Sequence, residues 1–462
     1  MARIGAAPAL EQRLLSELSR LGQGSASELL QRLGVSQPTL SRLLARLGER
    51  VLVTGRARAT RYAARREIED VGERVAIYEV DEQAHARKLA TLHPVLPEAF
   101  YVEALVDEVE SSIHADLPYF LHELRPSGFL GRLIPQRHPE LAAPSDVRLW
   151  SANQVLRYAS RFGWNLTGSL IVGEQAFQRY LEYASAPPDL VDSGARSRRY
   201  PELASDALAA GTAGSSAAGE QPKFLASRLP GPVPVLVKFS SPGKDALARR
   251  QADLLVAEHL AHRVLAEHGR AAARSQVFVL GNQTFLEVER FDRTRAGGRR
   301  GLLSLMALDA EFVGRLRTWV DSVAHLAAQK RVGVELLTEV RWVELFGKLI
   351  ANTDMHAGNL SFFTRGSHLL GLAPVYDMLP ALYAGQAGHL GTPSFEAPVP
   401  SPEDAAVCDG ASRAALDFWT RVKSEQRISP AFRRIARVNA DRVETFRKLS
   451  RLLPPSRSKI RA

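Results

Sequence analysis

The stretch ANTDMHAGNLSFF, residues 351–363, sets an aspartate and an asparagine five positions apart and then runs into an apolar, aromatic strand. The residues that follow, LSFFTRGSHLLGLAPVYDMLP, read as strand, polar glycine-containing turn and strand, so the chain has to come back to where it started. That return brings Asp377, at the end of the second strand, beside Asn359. Asp354, Asn359 and Asp377 then converge although 18 positions separate the last two. Two carboxylates and an amide are the hard oxygen ligands that Mg²⁺ takes around nucleotide phosphates. D-x-x-x-x-N is also the spacing of a kinase catalytic loop, where the Asp accepts the substrate hydroxyl proton and the Asn binds a metal ion. By itself the pattern is short and built from residues common in loops, and Asp377 would equally suit a helix N-cap before MLPAL. The order of the elements upstream is what selects the kinase-like reading.

Those elements begin at residue 211. GTAGSSAAGEQPKF is a small-residue loop leading into the strand KFLASR, which an LPGP turn joins to a second strand, VPVLVKFS. Val233, Val235, Val237 and Phe239 share one face of that strand, which leaves Lys238 on the other with Leu236. Such a lysine either sits in water on an edge strand or reaches the phosphates of a nucleotide beneath the loop. A long helix over roughly 244–268 follows, then SQVFVL and QTFLEVERFDR as further strands. In a kinase N-lobe a carboxylate on this helix orients the lysine, and both Asp253 and Glu258 are candidates. The result is an α+β, two-lobed, protein-kinase-like arrangement with a mixed N-lobe sheet and a mostly helical C-lobe.

The N-terminus reads differently. Residues 1–66 hold 12 Arg, no Lys, 4 Glu and no Asp, so +8 of the chain's net +10 lies in its first seventh. That asymmetry points to phosphate backbones or an acidic surface. PALEQRLLSELSRLG and SASELLQRLG carry leucines at helical spacing, with Ser25 or Ser27 as a cap for the second helix. VSQPTLSRLLARLGERV is a third helix with Ser36 as N-cap, Pro38 in its first turn, and Leu40, Leu43, Leu44 and Leu47 as its buried stripe. Gln37, Thr39, Ser41, Arg42 and Arg46 then face outward, and the short LGVS turn suits a helix-turn-helix that reads a DNA major groove. VLVTGRARATRYAA reads as two strands around an arginine-rich turn, a wing that places Arg56 and Arg58 on phosphates. The predicted N-terminal unit is a winged helix-turn-helix.

Residues 75–150 mix short strands, RVAIYEV and FYVEALV, with a predicted helix in PYFLHELRPSGFLGRLI. The expected domains are 1–66, 67–200, 201–295 and 296–455. One cysteine, Cys408, excludes an internal disulfide framework and fits a reducing compartment. The N-terminus has no apolar signal core, and no run approaches the roughly 18 apolar residues of a membrane span. The expected location is the cytoplasm.

Taken in order, SSAAGEQPKF, LVKF, VERFDR, NTDMHAGNLSF and PVYDMLPA resemble the consecutive motifs of the HipA-like serine/threonine kinases of bacterial toxin–antitoxin systems, over about residues 211–381, with fainter similarity in YFLHELRPSGFLGRLI. The chain is most similar to the branch carrying its own N-terminal helix-turn-helix. The resemblance implies ATP and Mg²⁺, with Asp354 as catalytic base, Asn359 and Asp377 as metal ligands, and Lys238 on the phosphates. It further implies a nucleotide loop of Ala217, Ala218, Gly219, Glu220 and Gln221 with Lys223, nucleotide contacts near Glu289 and Phe291, and autophosphorylation of a loop serine at Ser216, with Ser215 adjacent. His356 lies on the nucleotide side of the catalytic loop, and its own chemistry reads as a hydrogen-bonding loop histidine. In related proteins the substrate is an aminoacyl-tRNA synthetase and DNA binding comes from a separate antitoxin, whereas here DNA is expected to bind residues 1–66. The sequence departs from ordinary protein kinases in having no G-x-G-x-x-G and no H-R-D, and Pro222 precedes Lys223 where a polar residue is expected. Two other classes compete with a kinase: a DNA-binding regulator on a non-catalytic kinase scaffold, and a metal-dependent DNA phosphodiesterase. Intact Lys238, Asp354, Asn359 and Asp377 speak against the first. A strand lysine and nucleotide loop without a purpose speak against the second.

Overall fold

The computed structural model describes residues 6–185, 190–209, 221–315, 317–385, 391 and 393–453. It is a mixed α+β protein built as three consecutive units.

The first unit packs helices α1 (Ala6–Leu21), α2 (Ala26–Leu33) and α3 (Gln37–Leu47) around Leu14, Leu18, Leu29, Leu40, Leu43 and Leu47. Their leucines recur every three or four residues, which gives each helix one apolar stripe to bury. Ser25 closes a capping box on α2, with its backbone N–H donating to Glu28 Oε2 at 2.8 Å. Ser36 occupies the N-cap position of α3 but makes no capping bond, because its hydroxyl lies 3.0 Å from Thr39 Oγ1 instead. Strands β1 (Gly24–Ser25), β2 (Val51–Thr54) and β3 (Arg61–Ala64) form a small antiparallel sheet in the order β1-β3-β2, with residues 55–60 as the turn between β2 and β3.

The second unit is a five-stranded antiparallel sheet of β4 (Val75–Val80), β5 (Ala86–Val95), β6 (Ala99–Ala104), β7 (Ser112–His114) and β8 (Leu170–Val172), in the order β7-β6-β5-β4-β8. One face buries Val75, Ile77, Leu92, Phe100 and Val102 against the segment 117–166. The single helix predicted over PYFLHELRPSGFLGRLI is broken into a 3₁₀ segment, Tyr119–Leu124, and two short helices, α4 (Gly128–Arg132) and α5 (Ile134–Arg137). Pro126 is the cause: the residue before it, Arg125, is driven to extended backbone at φ −66°, ψ 122°. Helices α6 (Ala152–Phe162) and α7 (Glu174–Ser185) flank β8. Backbone hydrogen bonds join this unit to the first: Leu96 donates to the Ala64 carbonyl at 2.8 Å and Arg66 to the Pro94 carbonyl at 3.1 Å.

The third unit opens with β9 (Leu190–Val191) and α8 (Arg196–Ala209), then β10 (Lys223–Arg228), β11 (Val233–Phe239), α9 (Ala246–Glu267), β12 (Ser275–Leu280) and β13 (Gln283–Glu289). Its sheet runs β12-β13-β11-β10-β9, so β11, the lysine strand, is central rather than at an edge. Below it, β14 (Gly301–Ser304) leads into α10 (Leu305–Phe312), α11 (Trp319–Ala328) and α12 (Val334–Leu349). The hairpin β15 (Ser361–Arg365) and β16 (His368–Leu372) and the long helices α13 (Ala405–Ser424) and α14 (Pro430–Ser450) complete it. The largest apolar core lies among α9 to α14, around Phe346, Phe418, Trp419 and Phe432. The tip of the β15–β16 hairpin reaches into the second unit, where the Gly366 N–H donates to buried Glu79 at 2.9 Å. Asp292, pinned by Arg290 and Arg293 at 2.8 Å each, accepts the Gly168 N–H at 2.9 Å and closes the same junction.

Candidate active site

Lys238 projects from β11 on the face opposite Val235, Val237 and Phe239, all three fully buried. Its ammonium does not reach water. It donates to Glu258 Oε1 and to Asp377 Oδ1, each at 2.6 Å, with side-chain exposures of 6% for the lysine, 2% for Glu258 and 33% for Asp377. The node is drawn from three elements, β11, α9 and the segment after β16, with 20 and 139 positions separating the lysine from its partners. Burial alone lowers a lysine's pKa, but Asp377 and Glu258 outweigh it and hold the Lys238 ammonium above its ordinary value. Burial pushes the Asp377 carboxyl up, and the Lys238 and Lys223 ammoniums overcome that and carry it well below the usual carboxylate range. Glu258, almost fully buried, stays raised because burial exceeds the pull of Lys238.

Asp253 has a separate job. It is as buried as Glu258, but its two oxygens accept the backbone N–H and the hydroxyl of Ser429 at 2.6 Å each, fixing the start of α14. Of the two helix carboxylates considered for the lysine, the structure joins Glu258.

Lys223 lies directly across from Lys238 in the β10–β11 register, so both side chains leave the same face of the sheet. Gln221, just before β10, donates through its side-chain amide to the Phe239 carbonyl and ties the end of the preceding loop to the lysine strand. Ser215, Ser216, Ala217, Ala218, Gly219 and Glu220 lie outside the described residues. Glu289 is engaged by Arg228 at 2.5 Å, at the end of β13. Phe291 packs between Tyr376, at 5.6 Å, and Phe363, at 6.2 Å, one residue from Asp377.

The catalytic-loop residues are brought together by the loop's own backbone. Asn359 Nδ2 donates to the Asp354 carbonyl at 2.8 Å, which closes the five-residue span. That bond uses the amide nitrogen of Asn359 and leaves its oxygen without a hydrogen-bond partner among the described residues. Asp354 is exposed, and among the described residues its carboxylate accepts no hydrogen bond. His356 is exposed as well, with Nδ1 accepting the Gly358 N–H at 3.0 Å, the geometry of a loop-capping histidine. β16 stops at Leu372, so Asp377 belongs to the segment beyond the strand rather than to its end. It adopts φ +50°, a left-handed backbone uncommon for a non-glycine residue.

Three residues not singled out from sequence hold this geometry. Asn352 accepts the Asp354 N–H at 3.0 Å and approaches the Asp377 carbonyl at 3.5 Å, linking the two acidic segments. Tyr376 donates to the Gly358 carbonyl at 2.6 Å and meets the Ser361 hydroxyl at 2.7 Å. Gly347 on α12 lets the Met355 side chain lie against the helix, and a Cβ there would push the Met355 sulfur aside and crowd Met378, the neighbours of Asp354 and Asp377. Asn352 and Tyr376 sit within two residues of an acid already picked out, and that proximity was their signal. Gly347 carries none.

The donor set suits a hard cation. Asp377 has one oxygen on Lys238 and the other without a partner among the described residues, and Asn359 adds a neutral amide oxygen. Two protein ligands with the remaining positions left to water and phosphate is the mode Mg²⁺ favours at nucleotide sites. Among the described residues no group of three His, Cys, Asp or Glu side chains makes an all-protein metal cage.

Residues 71–181 match the family described as "YjjJ-like toxin, middle domain", and residues 215–445 match "HipA-like C-terminal domain". The chain is 39% identical over 434 residues to Toxin YjjJ of Escherichia coli (strain K12), covering 93% of this chain and 97% of that one. Among solved structures, HipA of the Shewanella oneidensis MR-1 toxin–antitoxin system, in a complex of HipA, HipB and operator DNA, aligns over 81% of this chain and 95% of its own at 17% identity and a TM-score of 0.47. The Helicobacter pylori proinflammatory kinase CtkA aligns over 49% of this chain and 92% of its own at 11% identity and a TM-score of 0.37.

Proposed function

Because the chain belongs to the HipA-like toxins, in their YjjJ branch, we propose that it is an ATP- and Mg²⁺-dependent protein serine/threonine kinase with a fused DNA-binding domain. The observation that carries this reading is the buried node of Lys238 with Glu258 and Asp377. A lysine whose charge is fixed by one buried and one cleft-facing carboxylate is the positioned cation that phosphoryl transfer needs, and neither a DNA reader nor a phosphodiesterase has use for it.

Each residue then has a task. Lys238 and Lys223 neutralise nucleotide phosphates, Asn359 and Asp377 would hold Mg²⁺, and Gln221 with Ala217, Ala218, Gly219 and Glu220 would contact the nucleotide. When bound, the metal supplies charge stabilisation to the phosphoryl group in flight. Glu289 and Phe291 border the nucleotide on the strand side. Asp354, exposed and without a hydrogen bond to its carboxylate among the described residues, takes the proton of the incoming serine or threonine hydroxyl as the hydroxyl oxygen bonds to the γ-phosphorus and ADP departs. Ser216 is the autophosphorylated residue. Gln37, Ser41, Arg42 and Arg46, all exposed along α3, and Arg56 and Arg58, exposed in the β2–β3 turn, are the DNA-facing set of a winged helix-turn-helix. Thr39 is half-buried against Ser36 and contributes to the fold of that helix. The protein substrate, an aminoacyl-tRNA synthetase in related kinases, would meet Asp354 from the open side of the cleft, and an antitoxin partner belongs to the same reading. Among the described residues no helix is long and apolar enough to cross a membrane.

Incubation with radiolabelled ATP and Mg²⁺, followed by mass spectrometry, tests the proposal. The parent should acquire phosphate on serine or threonine, Ser216 first, and the Asp354→Ala variant should not. Equal labelling of both would remove Asp354 from the mechanism, and no labelling of the parent or of any added protein would sink the kinase.

A further inference from the structure

Away from the kinase cleft, a second cavity of about 540 Å³ opens where the first unit meets the middle sheet. That volume falls within the range of small-ligand sites. Its floor is the face of β4–β5–β6 opposite the apolar core, with Ala76, Thr91 and Glu103 in register across the three strands. Its wall is β2 of the first unit, where Leu52 is buried and Val53 is 58% exposed.

The polar groups of this cavity are not interchangeable. His93, 3% exposed, lies 2.7 Å from Arg65 Nη1 through Nδ1 and 2.8 Å from Glu103 Oε2 through Nε2. Arginine can only donate, so Nδ1 accepts, Nε2–H donates to Glu103, and the imidazole is neutral. Glu174 is likewise taken, accepting the Tyr78 hydroxyl at 2.6 Å. Both carboxylates of the cavity are therefore already hydrogen-bonded. Beside them stand donors without a protein acceptor among the described residues: Arg65 Nε, which is buried, and the Lys88 ammonium, which makes no ion pair. Arg74, a third cation at the rim, has only an exposed contact with Glu49 at 3.3 Å.

Lys88 is in the cavity because of a backbone irregularity. The β4–β5 register slips between Ile77 and Tyr78, so Ala90 pairs with Ile77 but Lys88 pairs with Tyr78. Without that bulge Lys88 would share the face of Ala90 and point into the core. The extra residue, Leu89, is fully buried, and the slip turns Lys88 to the face of Tyr78, Ala76 and Thr91. Bulges that re-aim one side chain are characteristic of functional sites.

From the buried Arg65 Nε without a partner among the described residues, two further cations at the rim, a floor of Ala76 and Thr91 and an apolar wall, we infer that this cavity binds a small phosphorylated organic molecule, its phosphate on Lys88, Arg74 and Arg65 and its organic part against Val53, Leu52 and Ala76. Arg65 directly follows β3, and Leu52 and Val53 belong to β2, so the ligand bridges the N-terminal unit and the middle sheet. The inference is independent of the kinase reading.

Phenyl phosphate, titrated calorimetrically into the full chain without ATP or Mg²⁺, tests it, with inorganic phosphate as the comparison. Saturable one-to-one binding is expected, tighter for phenyl phosphate, weakened at least about tenfold by Lys88→Gln and by Arg74→Gln, and unchanged in the Asp354→Ala variant of the kinase cleft. Both substitutions are at exposed positions, so folding is not at issue. Absence of saturable binding, binding indifferent to Lys88→Gln, or equal affinity for inorganic phosphate would each overturn the assignment. So would loss of duplex DNA affinity in Lys88→Gln without any phosphate-ester binding, since the rim would then be a contact for the DNA backbone.

Discussion

The lysine node and the basic face of the first unit both concentrate charge, and they do so in opposite ways. Lys238, Glu258 and Asp377 come from three distant elements, the first two withdrawn from water and the third at the cleft, and each depends on the others. Gln37, Ser41, Arg42 and Arg46 come from one helix and stand in solvent, so each acts nearly alone. Buried charges make an all-or-none device whose parts cannot be removed singly, whereas exposed ones make a graded surface whose strength follows the salt concentration.

The largest effect should follow from Lys238→Met. It takes from Glu258 and Asp377 the ammonium that both accept, and removal of one member of a buried pair costs about 3–5 kcal/mol. Chemical denaturation should show that loss together with loss of phosphoryl transfer. A variant of parental stability would mean that the node contributes nothing to folding, and the contrast with the surface would collapse. Asp354→Ala should behave differently, because the residue is exposed. Transfer should slow by on the order of 10²–10⁴, with ATP affinity and thermal midpoint close to the parent's. A matching fall in stability would show Asp354 to be part of the scaffold.

The next prediction concerns pH. Next to the node, His262 is held neutral with its pKa down to about 3 by burial and the Lys238 charge, and His259 down to about 4 by burial and Arg427. Both hydrogen-bond Ser275 at 3.0 Å. A histidine depressed in the folded state binds its proton more readily when unfolded, so these two contribute stability above pH about 6.5 that is lost as pH falls toward 4. Urea titrations should lose on the order of 1–3 kcal/mol per pH unit around pH 5. His259→Gln with His262→Gln should flatten that slope, and an unchanged slope would place the sensitivity elsewhere. The smallest effect on the fold belongs to the surface. Arg42→Gln with Arg46→Gln should change stability by no more than about 0.5 kcal/mol yet weaken DNA binding and reduce its salt slope by about 2. Undiminished DNA affinity would move the duplex off α3.

The same contrast explains what could be read from the sequence. The N-terminal helices were legible because their information is local: leucine spacing specifies the buried stripe, and what remains faces out. The elements of the third unit were legible from the alternation of VPVLVKF and from the hairpin after Asn359. What could not be read was decided by partners far along the chain. Asp253 and Glu258 are both buried on α9, and only the arrival of Ser429, 176 residues later, separates a helix cap from a lysine partner. The break in the 119–137 segment was in plain sight at Pro126, but the apolar spacing around it reads as one helix. Gly347 and the β5 bulge that turns Lys88 are backbone effects without a periodic trace.

If the Lys238 node holds nucleotide phosphates and their metal, calorimetry of ATP binding with and without Mg²⁺ will show it. One ATP should bind per chain, more tightly with Mg²⁺ present, and Asp377→Ala should abolish that enhancement while the N-terminal Arg42→Gln and Arg46→Gln variant retains it. No ATP binding under either condition, or binding that ignores both Mg²⁺ and Asp377, would contradict the claim.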